Sequence, residues 1–181
     1  MSEASSPSTT PEALVKSYKE LVQLLQRDGV SHQANVSSNE VLIPTQRGQL
    51  DSVMILRWQE LEAVLQFIQP LNFEIPEARL DAMDAAVARL NPVLIIAGFE
   101  ISHELRRVAF RSTLPLLPRG GLAPGEIQTY FRVAVKTAAD FMPTLMRIAA
   151  GQAEPTTIVA DAKRDFAAAE AAAMPASKTV G

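Results

Sequence analysis

The residues best suited to chemistry lie between positions 100 and 121, beginning with His103 and Glu104. His-Glu opens the zinc-protease motif His-Glu-x-x-His, in which both histidines bind the metal and the glutamate acts as the base. Arg107 stands where the second histidine must be, and His32, the other histidine of the chain, lies far away in sequence. We therefore predict no metal site.

Other catalytic patterns are also incomplete. Glu100 and Glu104 carry groups suited to acid–base catalysis, but such work needs a cleft and a catalytic partner, which the sequence does not indicate. Arg119-Gly120-Gly121 lacks the lysine and the following hydroxyl of a phosphate-binding loop. The chain has no cysteine, which excludes a thiolate zinc site and a cysteine nucleophile. The sequence thus predicts no catalytic residue and no cofactor, and we expect a protein that is not an enzyme.

The densest basic cluster of the chain consists of four arginines: Arg106, Arg107, Arg111 and Arg119. Arg107 and Arg111 are four residues apart on one face of a predicted strand, where they could bind an acidic peptide or a phosphate. The favoured alternative is a solvated strand face paired with nearby carboxylates, because surface charge of this density is ordinary. If a partner binds, Arg107, Arg111 and Tyr130 are the predicted contacts.

Composition limits the class of protein. The chain has 181 residues, which suits one domain with tails, and 17 Lys and Arg against 20 Asp and Glu give a net charge of −3. A dedicated nucleic-acid binder normally has a basic excess, so none is predicted. The N-terminal segment lacks the basic and apolar regions of a secretion signal, and no run approaches the ~18 apolar residues that span a membrane. We expect a cytoplasmic protein without a membrane span.

Apolar spacing predicts the elements of the first half. Thr10-Pro11 is typical of a helix start, and the leucines that follow predict an amphipathic helix ending near Gly29. Strands are predicted at 40–45, 52–58 and 61–69. The last two segments also fit one helix, but the alternation of side chains favours a hairpin that turns near Gln59.

The centre of the chain carries a second helix and a second hairpin. Pro76 opens the helix, and Asn91-Pro92 ends it, with Asn91 predicted to cap it in the left-handed conformation. The hairpin follows, with strands predicted at 93–101 and 105–114.

Four residues at this centre are predicted to serve structure: Asn91, Gly98, Phe99 and Phe110. A glycine inside a strand usually marks a bulge or a tight crossing by another element, and we expect Gly98 at such a point. Both phenylalanines are expected in the core.

A third helix is predicted from Gly125 to Gly151, with a kink or restart at Pro143. Beyond it, residues 162–173 have helix-favouring alanines but few apolar anchors, which predicts a fraying helix or a disordered tail that adds little stability. The predicted organisation is a disordered N-terminal tail, one folded domain and an alanine-rich, flexible or partly helical tail, at residues 1–10, 11–151 and 152–181.

The element order is therefore helix, three strands, helix, two strands, helix. This order predicts an α+β fold in which the apolar stripes of the helices pack on one face of a five-stranded antiparallel sheet.

That order, with the residues at its centre, resembles the YbjN family and the related chaperones of type III secretion systems. The matching features, which lie within roughly residues 11–151, are Pro76-Glu77, Leu90-Asn91, Gly98-Phe99-Glu100-Ile101 and Phe110-Arg111. The secretion chaperones of this group are typically small, acidic, dimeric proteins that hold a segment of another polypeptide in extended form. Members similar to YbjN are often labelled signalling regulators. The resemblance thus implies a binding protein.

We predict a non-enzymatic protein- or peptide-binding module, chaperone- or adaptor-like, that contacts its client through a sheet edge and flanking apolar patches. Homodimerisation is expected because the third helix has apolar residues on more than one side, including Tyr130, Val133 and Met142. The alternative is a small-ligand-sensing regulatory domain, which a closed pocket with one or two buried polar groups would favour. A strongly shifted ionisable group in a cleft would instead favour an enzyme.

Overall fold

The computed structural model describes residues 13–94 and 97–173, the last eight of them by their backbone alone. The four helices are α1 Tyr18–Arg27, α2 Leu80–Leu90, α3 Pro124–Ala149 and α4 Ile158–Ala173. The six strands are β1 Gln33–Asn35, β2 Glu40–Arg47, β3 Leu50–Gln59, β4 Val64–Pro70, β5 Gly98–Ser102 and β6 Arg107–Pro115. Short 3₁₀ turns at Glu77–Arg79, Asn91–Val93 and Pro155–Thr157 adjoin α2 and α4.

All described strands join one antiparallel sheet in the order β1-β2-β3-β4-β6-β5. The predicted α+β class is therefore confirmed, and so is the hairpin within residues 52–69, which β3 and β4 form. The predicted strand count was wrong, because the sheet has six strands. The additional strand, β1, has three exposed residues and hence no apolar alternation by which it could be predicted.

The two faces of the sheet differ in burial. On the inner face, side chains such as Ile43, Leu56, Phe67 and Phe110 are buried in the core that the helices complete. Along β6 the intervening side chains are exposed or half-buried, as expected for a strand with one face toward water. The same alternation along β2 and β3 explains why the strand pattern was readable there.

Helix α1 begins later than predicted. Thr10-Pro11 lies outside the described residues, and Val15 is extended, exchanging two backbone hydrogen bonds of 2.8 and 2.9 Å with Leu122. The helix starts only at Tyr18, after Ser17, whose hydroxyl accepts a hydrogen bond from the Glu20 amide. The leading residues thus pair with a distant loop instead of continuing the helix.

The C-terminal part of the chain is helical and partly packed. Helix α3 runs through Pro143 without restarting there, so of the two predicted alternatives the restart is excluded and the kink stays a prediction. Ile158 and Ala162 of α4 are buried, and the Asp165 carboxylate lies 2.8 Å from both the Arg147 guanidinium and the Thr144 hydroxyl of α3. The alanine-rich sequence thus predicted less packing of α4 against α3 than the structure has. The boundary between domain and tail near residue 151 stays a prediction.

Candidate functional site

The sheet has two edges, and at the β5 edge, which we call the closed edge, one side chain pairs with the outward backbone groups of Phe99. The Asn91 Nδ2 amide donates to the Phe99 carbonyl oxygen at 3.0 Å, and the Phe99 N–H donates to Asn91 Oδ1 at 2.8 Å. In an antiparallel pair, a residue directs both backbone groups either toward its partner strand or away from it. Since both groups of Phe99 bind Asn91, they point away from β6, and the Asn91 amide occupies the place of a further strand.

Asn91 does not serve the role that its sequence position predicted. Its backbone has φ −56° and ψ −39°, which is right-handed helical, so the predicted left-handed cap was wrong. The amide packs flat over Gly98, where a Cβ atom would lie 3.1 Å from Asn91 Cγ. Contacts that short displace one of the two groups. The glycine therefore allows the amide to approach the strand.

The inner face of the closed edge is aromatic. Phe99 packs edge-to-face against Phe110 at 5.2 Å and against Phe141 of α3 at 5.7 Å between ring centroids. Phe99 and Phe110 are both almost fully buried. Arrangements of this kind add to the hydrophobic stabilisation of the buried rings. The closed edge thus joins the sheet to α2 and α3.

The arginine cluster is largely neutralised. Arg106 pairs with Glu74, Arg111 lies 2.6 Å from Glu100, and Arg119 lies 2.6 Å from Glu126. Arg107 is exposed and has no carboxylate partner among the described side chains. The structure therefore does not gather Arg107 and Arg111 into a free basic stripe.

Tyr130, the third predicted partner contact, lies on α3 and is half-buried. Its ring packs against Phe67 of β4 with 6.0 Å between centroids. Met142, which was expected to add apolar surface to α3, is buried in the core. Both side chains thus contribute to packing within the chain.

The β1 edge differs from the β5 edge because it is exposed. Among the described strands β1 pairs only with β2, through Gln33 with Leu42, Ala34 with Val41 and Asn35 with Glu40. Half of the backbone N–H and C=O groups of such an edge point away from the sheet and can accept another strand. All three β1 side chains are exposed.

An apolar groove runs beside this edge, between β1 and α1. It has a volume of about 400 Å³ and is lined by Tyr18, Lys19, Val22, Gln23, Gln26, Ala34 and Val36. Val36 is 76% exposed and adds apolar surface to this depression. We call this depression the α1–β1 groove. An extended peptide on the β1 edge would direct alternate side chains toward it.

Tyr18 lines the α1–β1 groove and is itself buried. Its hydroxyl donates a 3.1 Å hydrogen bond to the carbonyl oxygen of Glu40, the first residue of β2. Burial raises the pKa of Tyr18, so the phenol stays neutral and keeps its donor proton at physiological pH. The bond therefore ties α1 to β2 across the groove.

Among the described side chains, three carboxyl groups have lowered pKa values, and each contacts neighbouring structural elements. The Arg119 guanidinium and then the Ala123 N–H lower the pKa of Glu126, which caps the start of α3. The Thr157 hydroxyl lowers the pKa of Asp161 in α4. Burial opposes ionisation of Asp165, but hydrogen bonds from Arg147 and Thr144 outweigh it and lower its pKa.

Sequence reasoning missed the β1 edge and its groove. The segment 30–39 has no apolar periodicity, and the isolated Val36 was the only available signal. Within the described ranges, no helix is long and apolar enough to cross a membrane. No three His, Cys, Asp or Glu side chains of those ranges gather into a metal-binding group.

Comparison with known proteins identifies the class. Residues 17–147 match the model of the YbjN family, described as "Putative bacterial sensory transduction regulator". This match spans most of the chain, and the protein belongs to the YbjN family. Among solved structures, it is similar to YbjN from E. coli, described as "a putative transcription regulator", with 13% identity and a TM-score of 0.57 over 70% of this chain and 89% of that one. At that identity the likeness concerns the fold. None of the curated proteins matches this chain.

Proposed function

We propose that this protein is a non-enzymatic regulatory module that binds an extended segment of another polypeptide, in the manner of a chaperone or adaptor, in the cytoplasm. The observation that carries the proposal is the exposed β1 edge beside the α1–β1 groove. The family description as a regulator is compatible with such a role, because a regulator must contact a partner. The binding role itself rests on the geometry of the edge.

The edge and the groove supply complementary parts of the interaction. Backbone groups of β1 provide hydrogen bonds that any extended peptide can make, whereas side-chain pockets give specificity. Because β1 has only three residues, those hydrogen bonds are few. The apolar surface of Tyr18, Val22 and Val36 must therefore contribute much of the affinity, and we expect a client with apolar residues at alternate positions.

A peptide display experiment tests the proposal. Random peptides selected on the purified full-length chain should converge on extended sequences with alternating apolar residues. Amide resonances of Gln33, Ala34 and Asn35 should shift on binding of a selected peptide. Replacing Val36 with Glu should lower the affinity for that peptide at least about tenfold, because a charge then enters the apolar groove.

The matched control is Val93→Glu, which places the same charge on a valine that is 53% exposed, in the 3₁₀ turn after α2 and away from β1. It should leave the affinity unchanged. Equal weakening by the two variants, or selected peptides whose binding does not shift the β1 amides, would refute the β1 site.

We also propose that the protein is a homodimer, since two β1 edges can pair with each other as readily as with a client. Light scattering should then report twice the 19.6 kDa mass of the monomer. The Val36→Glu variant should shift the dimer toward the monomer if the β1 edges form the interface. A dimer unaffected by that variant would place the interface elsewhere, and a monomer at all concentrations would exclude it.

The second candidate function, sensing of a small ligand, is favoured by one observation. A separate apolar cleft lies between α1 and α3, on the side of α1 away from β1.

A further inference from the structure

The cleft between α1 and α3 is apolar inside and has a volume of about 260 Å³. We call it the α1–α3 cleft. Its walls are aliphatic and aromatic side chains from α1, the segment that follows it, the inner sheet face and α3: Leu24, Val30, Ile43, Leu56, Ile127 and Phe131. The volume lies below the range of about 300–1,000 Å³ that holds drug-sized ligands. A short chain or a single ring is therefore the apolar group that fits.

The mouth of the cleft is asymmetric in charge. On one side Asp28 is already engaged, by the Arg27 guanidinium at 3.1 Å and by the Gln128 side-chain amide at 3.5 Å. Arg132 lies one helical turn beyond Gln128, lines the cleft and is exposed. Arg132 has no carboxylate partner among the described side chains.

A second unpaired cation lies beside Arg132. Arg47, at the end of β2, lines a neighbouring depression together with Arg132 and Phe131. Arg47 is exposed and also lacks a carboxylate partner among the described side chains, whereas Lys136 in the same depression is paired with Asp140. One unpaired guanidinium group thus lines the apolar cleft and a second lines the depression next to it, in a chain whose net charge is −3.

From this geometry we infer that the α1–α3 cleft binds a small amphipathic anion. Its apolar chain or ring fills the cleft, and its acid group pairs with Arg132 and Arg47. Guanidinium groups bind carboxylates and phosphates through two parallel hydrogen bonds and remain charged at every physiological pH. The inference does not depend on peptide binding at β1, because the two sites use opposite sides of α1.

Titration calorimetry on the full-length chain tests the site with four probes that share one octyl chain: nonanoate, octyl phosphate, octan-1-ol and octyltrimethylammonium. At least one of the two anions should bind, and the neutral and cationic probes should bind at least about tenfold more weakly, because charged hydrogen bonds are lost. The tighter anion identifies the acid group as a carboxylate or a phosphate. Binding of neither anion, or equal binding of octan-1-ol, would overturn the inference.

Three arginine variants locate the site. Arg132→Gln should lower the affinity for the anion about tenfold or more, and Arg47→Gln should lower it less. Arg107→Gln removes an equally unpaired arginine from a distant strand and should leave the affinity unchanged. All three side chains are exposed, so circular dichroism melts should remain those of the unmodified protein. Equal loss of affinity in the Arg107 and Arg132 variants would mean that only net charge matters and would also overturn the inference.

Discussion

The two edges of the sheet differ in whether their outward backbone N–H and C=O groups have hydrogen-bond partners. At β5, a single amide from Asn91 satisfies both outward groups of Phe99, and aromatic packing fixes the strand to α3. At β1, no described strand or side chain takes that place, and an apolar groove adjoins the strand. Exposed edges promote unwanted association, and natural proteins usually protect them. An edge without a described partner beside an apolar groove, in a protein whose other edge is covered at Phe99, is therefore the better candidate for binding.

The largest expected difference between the edges concerns core packing. Replacing Phe99 with Ala should lower the free energy of unfolding by about 3–5 kcal/mol, because the ring is buried against Phe110 and Phe141. Urea unfolding followed by circular dichroism measures the loss. Phe99→Leu, which keeps most of the apolar volume, should cost less. A Phe99→Ala variant as stable as the unmodified protein would show that the closed edge is not anchored by its aromatic residues.

The Asn91 amide should have the next largest effect. Asn91→Ala leaves the N–H and C=O of Phe99 without a partner, which should cost about 1–3 kcal/mol in unfolding measurements. The control is Asn72→Ala: its amide also bonds two backbone groups, of Asp51 and Gln49, but in an exposed position. It should cost well under half as much. Equal costs would mean that water replaces Asn91 as easily as Asn72.

The same contact can be tested through Gly98. Gly98→Ala should displace the amide, because the added methyl group would lie 3.1 Å from Asn91 Cγ. In a variant that already carries Asn91→Ala, this steric cost should largely disappear, so the two effects should not add. Additive losses would show that Gly98 is required for a reason unrelated to Asn91.

The elements of this sheet differ in how far the sequence predicts them. The hairpin of β3 and β4 was predictable because Met54, Leu56 and Trp58 alternate with half-buried or exposed residues. The role of Asn91 was not predictable, because its amide contacts a strand that begins seven residues later. Local capping statistics carry no information about that contact. Strand β1 was not predicted, because an exposed edge strand has no buried face and therefore no alternation of apolar and polar side chains.

Helix α4 was underestimated for a similar reason. Its alanine-rich sequence suggested little burial, but Ile158 and Ala162 are buried, and Asp165 bonds to α3. Small residues can pack closely against another helix without producing a strong hydrophobic stripe. The sequence thus predicted the fold class and the central elements, whereas the contacts that distinguish the two edges depended on tertiary structure.

A smaller, pH-dependent effect is expected at the α4 contact. Because the pKa of Asp165 is lower in the folded protein, its ionised form contributes stability at neutral pH that is lost as pH falls through that lowered pKa. Asp165→Asn should cost about 1 kcal/mol near neutral pH, since the pair is only partly buried. The difference from the unmodified protein should begin to shrink as pH falls below the ordinary Asp pKa of about 3.9, and it should vanish only below the lowered pKa of Asp165 in the folded protein.

Thermal melts at several pH values measure this effect. Asp51→Asn is a suitable control, because its carboxylate has no hydrogen-bond or ion-pair partner among the described residues. If Asp165→Asn lowers stability by the same amount at every pH, the contact acts through packing and not through charge.

The smallest effect on stability is expected at the open edge. Val36 is 76% exposed, so Val36→Ser should change the free energy of unfolding by less than about 0.5 kcal/mol. If the β1 edge binds a partner, the same substitution should nevertheless weaken that partner, because it removes an apolar contact from the α1–β1 groove. Urea unfolding and peptide titration of one protein sample give both values. A marked loss of stability would show that Val36 supports the fold, and the distinction between a structural β5 edge and a binding β1 edge would then fail.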